Sequence, residues 1–178
     1  MTQSIQVQEY QSPYGALLIG SFKDELVLCD WKYRKMRAAI DQRIQTGLAA
    51  TFVVKTSKLI EETIRQLEEY FKNERTAFDI PIRFIGTDFQ ISVWQKLIEI
   101  PFGKTNSYLE LSNQLGNPKA IRAVASANGA NAISILIPCH RIIGSNGELT
   151  GYAGGLPAKK KLLTLENKTI GNEQFSLF

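Results

Sequence analysis

The sequence predicts a small α/β domain over residues 1–84 followed by a helical domain built on a helix-turn-helix over residues 85–170. Three observations predict it. Short β-branched and apolar runs separated by Gly or charged turns fill the first third, and one amphipathic helix follows them. Two capping boxes then open consecutive helices. The second of those helices is short, and a Gly-containing turn joins it to the next.

The elements follow in order. Tyr14 to Ile19, Glu25 to Trp31 and Thr51 to Lys55 read as strands. Ser57 caps a helix over residues 58–72, on which Ile60, Ile64, Leu67 and Phe71 share a face and Glu61 and Glu62 sit where the helix dipole favours them. Residues 79–84 read as an edge strand or linker. This half has no glycine-rich phosphate loop and no carboxylate pair placed for catalysis, so no chemistry is expected of it. In the second half, Thr87 to Gln90 form a capping box, and Phe89, Val93, Trp94, Leu97 and Ile98 make one apolar face that Pro101 and Gly103 terminate. Ser107 to Glu110 form another, opening a helix that Gly116 stops. Asn117 and Pro118 read as N-cap and first residue of a helix reaching about Gly129. A last helix is expected over residues 159–165.

The second helix of the pair is poor in base-reading side chains. Ala120, Ala123 and Ala127 recur at helical spacing, with Lys119 and Arg122 as the long basic groups and Ser126 beside them. Such a surface suits close, shape-based approach to a minor groove with one Arg as a probe. The competing reading is that the alanines pack on another helix.

Composition bounds the function. The 178 residues hold 44% hydrophobic and 21% charged side chains, ordinary for a soluble globular chain. No apolar run approaches the roughly 20 residues of a membrane helix, and the N-terminus lacks the pattern of a signal peptide. The expected location is cytoplasmic, where Cys29, inside a strand, stays reduced. Residues 1–84 carry 12 Lys or Arg against 11 Asp or Glu, and residues 85–170 carry 9 against 5, so the positive excess lies in the second half, as a polyanion partner requires. Two distant cysteines and one histidine give no metal-ligand spacing.

The most informative run is Leu136-Ile137-Pro138-Cys139-His140-Arg141-Ile142-Ile143. The only histidine adjoins one of the two cysteines, between apolar flanks. A thiol is a weak nucleophile until its thiolate is stabilised, and imidazole is the side chain that titrates near neutrality.

Together these residues resemble the O6-alkylguanine-DNA alkyltransferases, the methylated-DNA–protein-cysteine methyltransferases. The Pro-Cys-His-Arg run is that family's active-site signature, accompanied in order by Tyr108, Arg122, Asn131, Tyr152 with Gly154-Gly155, and Glu166. The resemblance implies a ribonuclease H-like first domain, a winged helix-turn-helix second domain, and a protein used once. Cys139 takes the alkyl group from O6 of guanine, His140 accepts the thiol proton through a water, Glu166 orients the imidazole, and Asn131 holds the loop. Tyr108 and Tyr152 polarise the base, with Ile142, Ala153 and Thr150 around it. Arg122 enters the gap left by the flipped nucleotide, and Lys119, Ala120, Ala123 and Ser126 approach the DNA. Neither a cofactor nor the zinc of some members is expected, and the expected assembly is a monomer. Both O6-methylguanine and O4-methylthymine stay open as lesions. A non-catalytic lesion binder is the alternative, and Cys139 argues against it. Beyond the family's core, residues 171–178 form a tail whose Gln174, Phe175, Ser176, Leu177 and Phe178 resemble peptides that dock repair enzymes on the bacterial sliding clamp.

Overall fold

A computed structural model describes residues 2–168; the proposed clamp-binding tail lies outside the described residues. The first half is a four-stranded sheet in the order β3-β2-β1-β4, with two helices. β1 (Gln3–Ser12), β2 (Gly15–Phe22) and β3 (Glu25–Trp31) form an antiparallel meander. α1 (Arg37–Leu48) then crosses over so that β4 (Ala50–Val54) runs parallel to β1. α2 (Lys58–Phe71) starts where expected: Ser57 Oγ accepts the Ile60 amide at 3.2 Å.

Two of these elements were not anticipated. β1 is rich in Gln, and its apolar positions are too few to show a buried face; it is central because it hydrogen-bonds to strands on both sides. α1 has no side-chain cap and a weak apolar stripe, burying only Ile40, Ile44 and Leu48. It becomes helical because those three fill a core against Ile5, Val27 and Leu28.

The second half is helical. α3 (Asp88–Ile98) and α4 (Tyr108–Gln114) begin at complete capping boxes, on Thr87/Gln90 and Ser107/Glu110. Gly116 (φ 73°) ends the second, a conformation open to Gly without steric cost. α5 (Ile121–Gly129) starts later than expected. Residues 117–119 form a turn closed by the Ala120 amide on the Asn117 carbonyl (3.0 Å), so Asn117 and Pro118 are neither N-cap nor first helical residue. The alanine stripe also needs correction, because Ala127 faces the core while Ala123 is exposed and Ala120 half-buried. On α3 only Val93, Trp94 and Leu97 are buried; Phe89 and Ile98 lie outside the face assigned to them. β5 (Asn106–Ser107) and β6 (Ile142–Ile143) pair in parallel, and α6 (Leu156–Lys168) closes the described chain.

The halves share the larger of two cores. Leu17, Ile19, Leu26, Cys29 and Tyr70 pack in the same cluster as Val93, Leu111, Ile137, Cys139 and Leu162. The β3 edge is paired by both halves of the chain. Leu26 exchanges bonds with Pro81 and Arg83, while the Cys29 amide donates to Ala132 and the Cys29 carbonyl accepts from Ser134. An edge that would otherwise offer unpaired donors and acceptors is thereby covered by the loop that leads to Cys139.

Candidate active site

Cys139, His140 and Arg141 form a single 3-10 turn after Pro138. The preceding loop is tightly specified. Asn131 Oδ1 accepts the Ile133 amide (2.9 Å), and its Nδ2 donates to the Ile137 carbonyl (3.0 Å). Ile135 adopts φ 73°, a costly conformation for a β-branched residue, which holds only because the surroundings dictate it. Asn131 thus ties the loop through backbone hydrogen bonds on both sides of its side chain.

Glu166, two residues from the end of α6, gathers donors from three parts of the chain. Its Oε1 lies 2.6 Å from His140 Nε2, 2.7 Å from the Tyr70 hydroxyl and 3.0 Å from Arg141 Nη2. Its Oε2 accepts Arg141 Nε at 2.9 Å and the Gly103 amide at 3.3 Å. His140 is fully buried and Glu166 is 1% exposed. The dominant effect of burial opposes the charge on Glu166, yet His140 and Arg141 together hold the carboxyl far below its usual range. Burial pushes His140 down, against the pull of Glu166. The arrangement is therefore a neutral imidazole donating Nε2–H to a carboxylate. His140 Nδ1 makes no hydrogen bond to the protein, so its lone pair is free to accept a proton. Burial also raises the Cys139 thiol, with the Asn131 side chain and Lys159 pulling the other way. The resting pair is a thiol and a neutral imidazole, so a nucleophilic sulfur here would first have to shed its proton.

Cys139 opens on a cleft of about 690 Å³, whose walls include Tyr108, Tyr152, Ala153, Ala125 and Gly129. Trp31 Nε1 donates to the Tyr152 hydroxyl at 3.2 Å. An indole only donates, so the Tyr152 hydroxyl keeps its own hydrogen for another acceptor. Burial pushes the Tyr152 hydroxyl well above the ordinary phenol value, which keeps it protonated. A Cβ on Gly154 would lie 2.5 Å from the Trp31 ring, so glycine there lets the 151–155 loop close on β3. Arg122, Ser126 and Lys119 are exposed on or just before α5. Ile142 and Thr150 do not line this cleft. Ile142 is fully buried in the main core with its backbone paired to Asn106, while exposed Thr150 offers its carbonyl to Lys159 Nζ at 2.8 Å.

The first half was expected to carry no chemistry, yet several of its residues reach the site. Trp31 and the residues 33–36 form one wall of the cleft. Tyr70 reaches Glu166 from α2. Arg34, held by Asp30, donates to the Gly129 and Asn131 carbonyls, and Arg43 donates to the Ala130 carbonyl. These cations meet the C-terminal end of α5, where the helix dipole favours positive charge. Lys159, on α6, was also missed. It is wholly buried with its amine on the Thr150 and Gly151 carbonyls, and burial lowers it to about 8.

Comparison with known proteins agrees with this geometry. Residues 7–84 match the ribonuclease-like domain of 6-O-methylguanine DNA methyltransferase, and residues 88–168 match its DNA binding domain. A methylated-DNA–protein-cysteine methyltransferase of Methanosarcina acetivorans is 41% identical over 157 residues, covering 88% of this chain and 95% of its own. One from Mycobacterium leprae is 40% identical over 169 residues, covering 93% and 94%. The crystal structure of Mycobacterium tuberculosis OGT in complex with DNA superposes with a TM-score of 0.77 at 37% identity, covering 93% of each chain. Matches over both halves, joined to a buried Cys139-His140 turn whose imidazole is hydrogen-bonded to Glu166, place this chain in the methylated-DNA–protein-cysteine methyltransferase family.

Proposed function

We infer that this protein repairs O6-alkylguanine in double-stranded DNA by moving the alkyl group irreversibly to Cys139, one lesion per molecule. The observation that carries the reading is the His140 Nδ1 lone pair, free of protein partners on the residue that follows a buried cysteine, with Nε2 tied to Glu166. The thiol proton passes to His140 through a water. The Sγ–carbon bond forms as the carbon–O6 bond breaks, and the electron pair goes to the guanine ring. Guanine regains a proton and Cys139 keeps a thioether, so charge and protons balance. Tyr152 supplies the hydrogen toward O6 and Tyr108 polarises N3, stabilising the anion as it develops. Ala153 lines the base.

The target base is unreachable while stacked, and flipping it costs roughly a few kcal/mol. Arg122 fills the gap, while Lys119, Ala120, Ala123 and Ser126 lie against the minor groove. A mycobacterial relative solved in complex with DNA supports DNA as the partner. The presence of the thiol disfavours a binder that only marks lesions.

Mass spectrometry after incubation with an O6-methylguanine duplex tests the reading. One methyl per protein, absent in Cys139→Ser, is expected; turnover beyond one equivalent rejects it. The tail residues Gln174, Phe175, Ser176, Leu177 and Phe178 are proposed to dock on the sliding clamp. A pull-down with and without them tests that, and equal retention ends it.

A further inference from the structure

Tyr70 belongs to α2 of the N-terminal half, 69 positions before the reactive cysteine, yet its ring is fully buried and its hydroxyl lies 2.7 Å from Glu166 Oε1. The same oxygen lies 2.6 Å from His140 Nε2. Tyr70 and the imidazole therefore compete for the electron density of one carboxylate oxygen. The ring is held by edge contacts with Phe71 and Phe102 and a tilted contact with Phe78, so the hydroxyl has little freedom to turn away.

We propose that Tyr70 is a positioning residue of the transfer site: its hydroxyl fixes the Glu166 carboxylate and moderates that carboxylate's pull on the His140 ring. The proposal rests on the alkyl-transfer reading and names a residue that no part of that reading uses. A carboxylate serving only His140 would draw a proton onto the imidazole and hold it there. His140 would then be charged at rest and useless as a base. Each further donor on Glu166 spreads its charge and leaves the imidazole neutral. Arg141 supplies two such donors and Gly103 one; Tyr70 is the donor contributed by the other half of the fold. Lys159 on α6 acts on His140 and Tyr152 on the 151–155 loop acts on Tyr70, while Cys139 precedes His140 on the same turn. Lys159 adds to the disfavouring of an imidazolium.

The chain has a single histidine, so ring NMR signals report His140 alone. In full-length Tyr70→Phe, the imidazole titration midpoint should rise by roughly half a pH unit or more, because Glu166 has lost a donor and attracts the proton more strongly. The acid limb of the single-turnover transfer rate should move up by the same amount, with rates converging at alkaline pH. Tyr70→3-fluorotyrosine keeps the shape and makes a stronger donor, so its midpoint should fall instead. This second variant decides the matter if Tyr70→Phe fails to fold. A purely structural role would lower the melting temperature or the active fraction without moving the midpoint in opposite directions. Midpoints that coincide with the parent protein's overturn the proposal. A parent protein that accepts no methyl group would overturn the alkyl-transfer reading instead, while the ring titration would still decide the role of Tyr70.

Discussion

At the residue scale, the account turns on how a buried carboxylate stays charged and useful. Glu166 is matched by the guanidinium of Arg141, with Nε on one oxygen and Nη2 on the other. Replacing it by Gln leaves Arg141 buried without a counter-charge. Glu166→Gln should therefore cost about 3–5 kcal/mol of stability at neutral pH. The folded carboxyl lies far below its ordinary value of 4.5, so its contribution is complete above that value and fades as pH falls beneath it. Urea denaturation at pH 7 and pH 3 should show the gap between variant and parent narrowing in acid. A gap that does not narrow would mean the carboxylate is not held charged. The chemistry was legible here because a lone histidine beside a cysteine is a rare juxtaposition, whereas Lys159 and Tyr70 were not. A lysine among Lys160 and Lys161 reads as solvated, and a tyrosine on an amphipathic helix reads as core. Only folding shows that the amine caps the Thr150 and Gly151 carbonyls and that the phenol ends on Glu166.

At the scale of elements, the capping boxes on Thr87 and Ser107 were readable because a local side chain and a local amide satisfy each other. The start of α5 was not, because Asn117 and Pro118 serve a turn and the helix begins without any side-chain cap. That shift leaves Arg122 in the first turn of α5, exposed with Ala123, Ala125 and Ser126. If Arg122 fills the gap behind a flipped nucleotide, Arg122→Ala should slow transfer from duplex by roughly 10- to 100-fold, in line with a flipping cost of a few kcal/mol. Transfer from a free O6-alkylguanine base should be nearly unchanged. Equal slowing on both substrates would place Arg122 in the chemistry rather than in DNA distortion. The 151–155 loop gives a second test at this scale. Gly154→Ala puts a methyl 2.5 Å from the Trp31 ring, so the loop must shift and carry Tyr152 with it. Transfer should fall while the Cys139 thiol itself remains present; an unaffected rate would separate Tyr152 from the reaction.

At the scale of the molecule, the two halves that match separate domains share their larger core, while a second cluster under α1 belongs almost wholly to the first half. The strand β3 receives the 132–134 segment along its edge, Trp31 supports Tyr152, and Arg34 and Arg43 hold the carbonyls after α5. None of these links has a local sequence signal, since each joins residues about 90 or more positions apart, and this is why the first half looked chemically idle. A fragment of residues 85–178 alone should therefore lose cooperative unfolding and most of its transfer rate, as thermal melts and single-turnover assays would show. A fully active fragment would mean that the shared core is dispensable. The central claim is that the sulfur of Cys139 receives carbon once and keeps it. Intact-mass measurement after an excess of O6-methylguanine duplex tests this most directly. The account predicts one added methyl group, located on Cys139 by peptide mapping and missing from Cys139→Ser. Repaired DNA in excess of protein, or a methyl group on another residue, would contradict it.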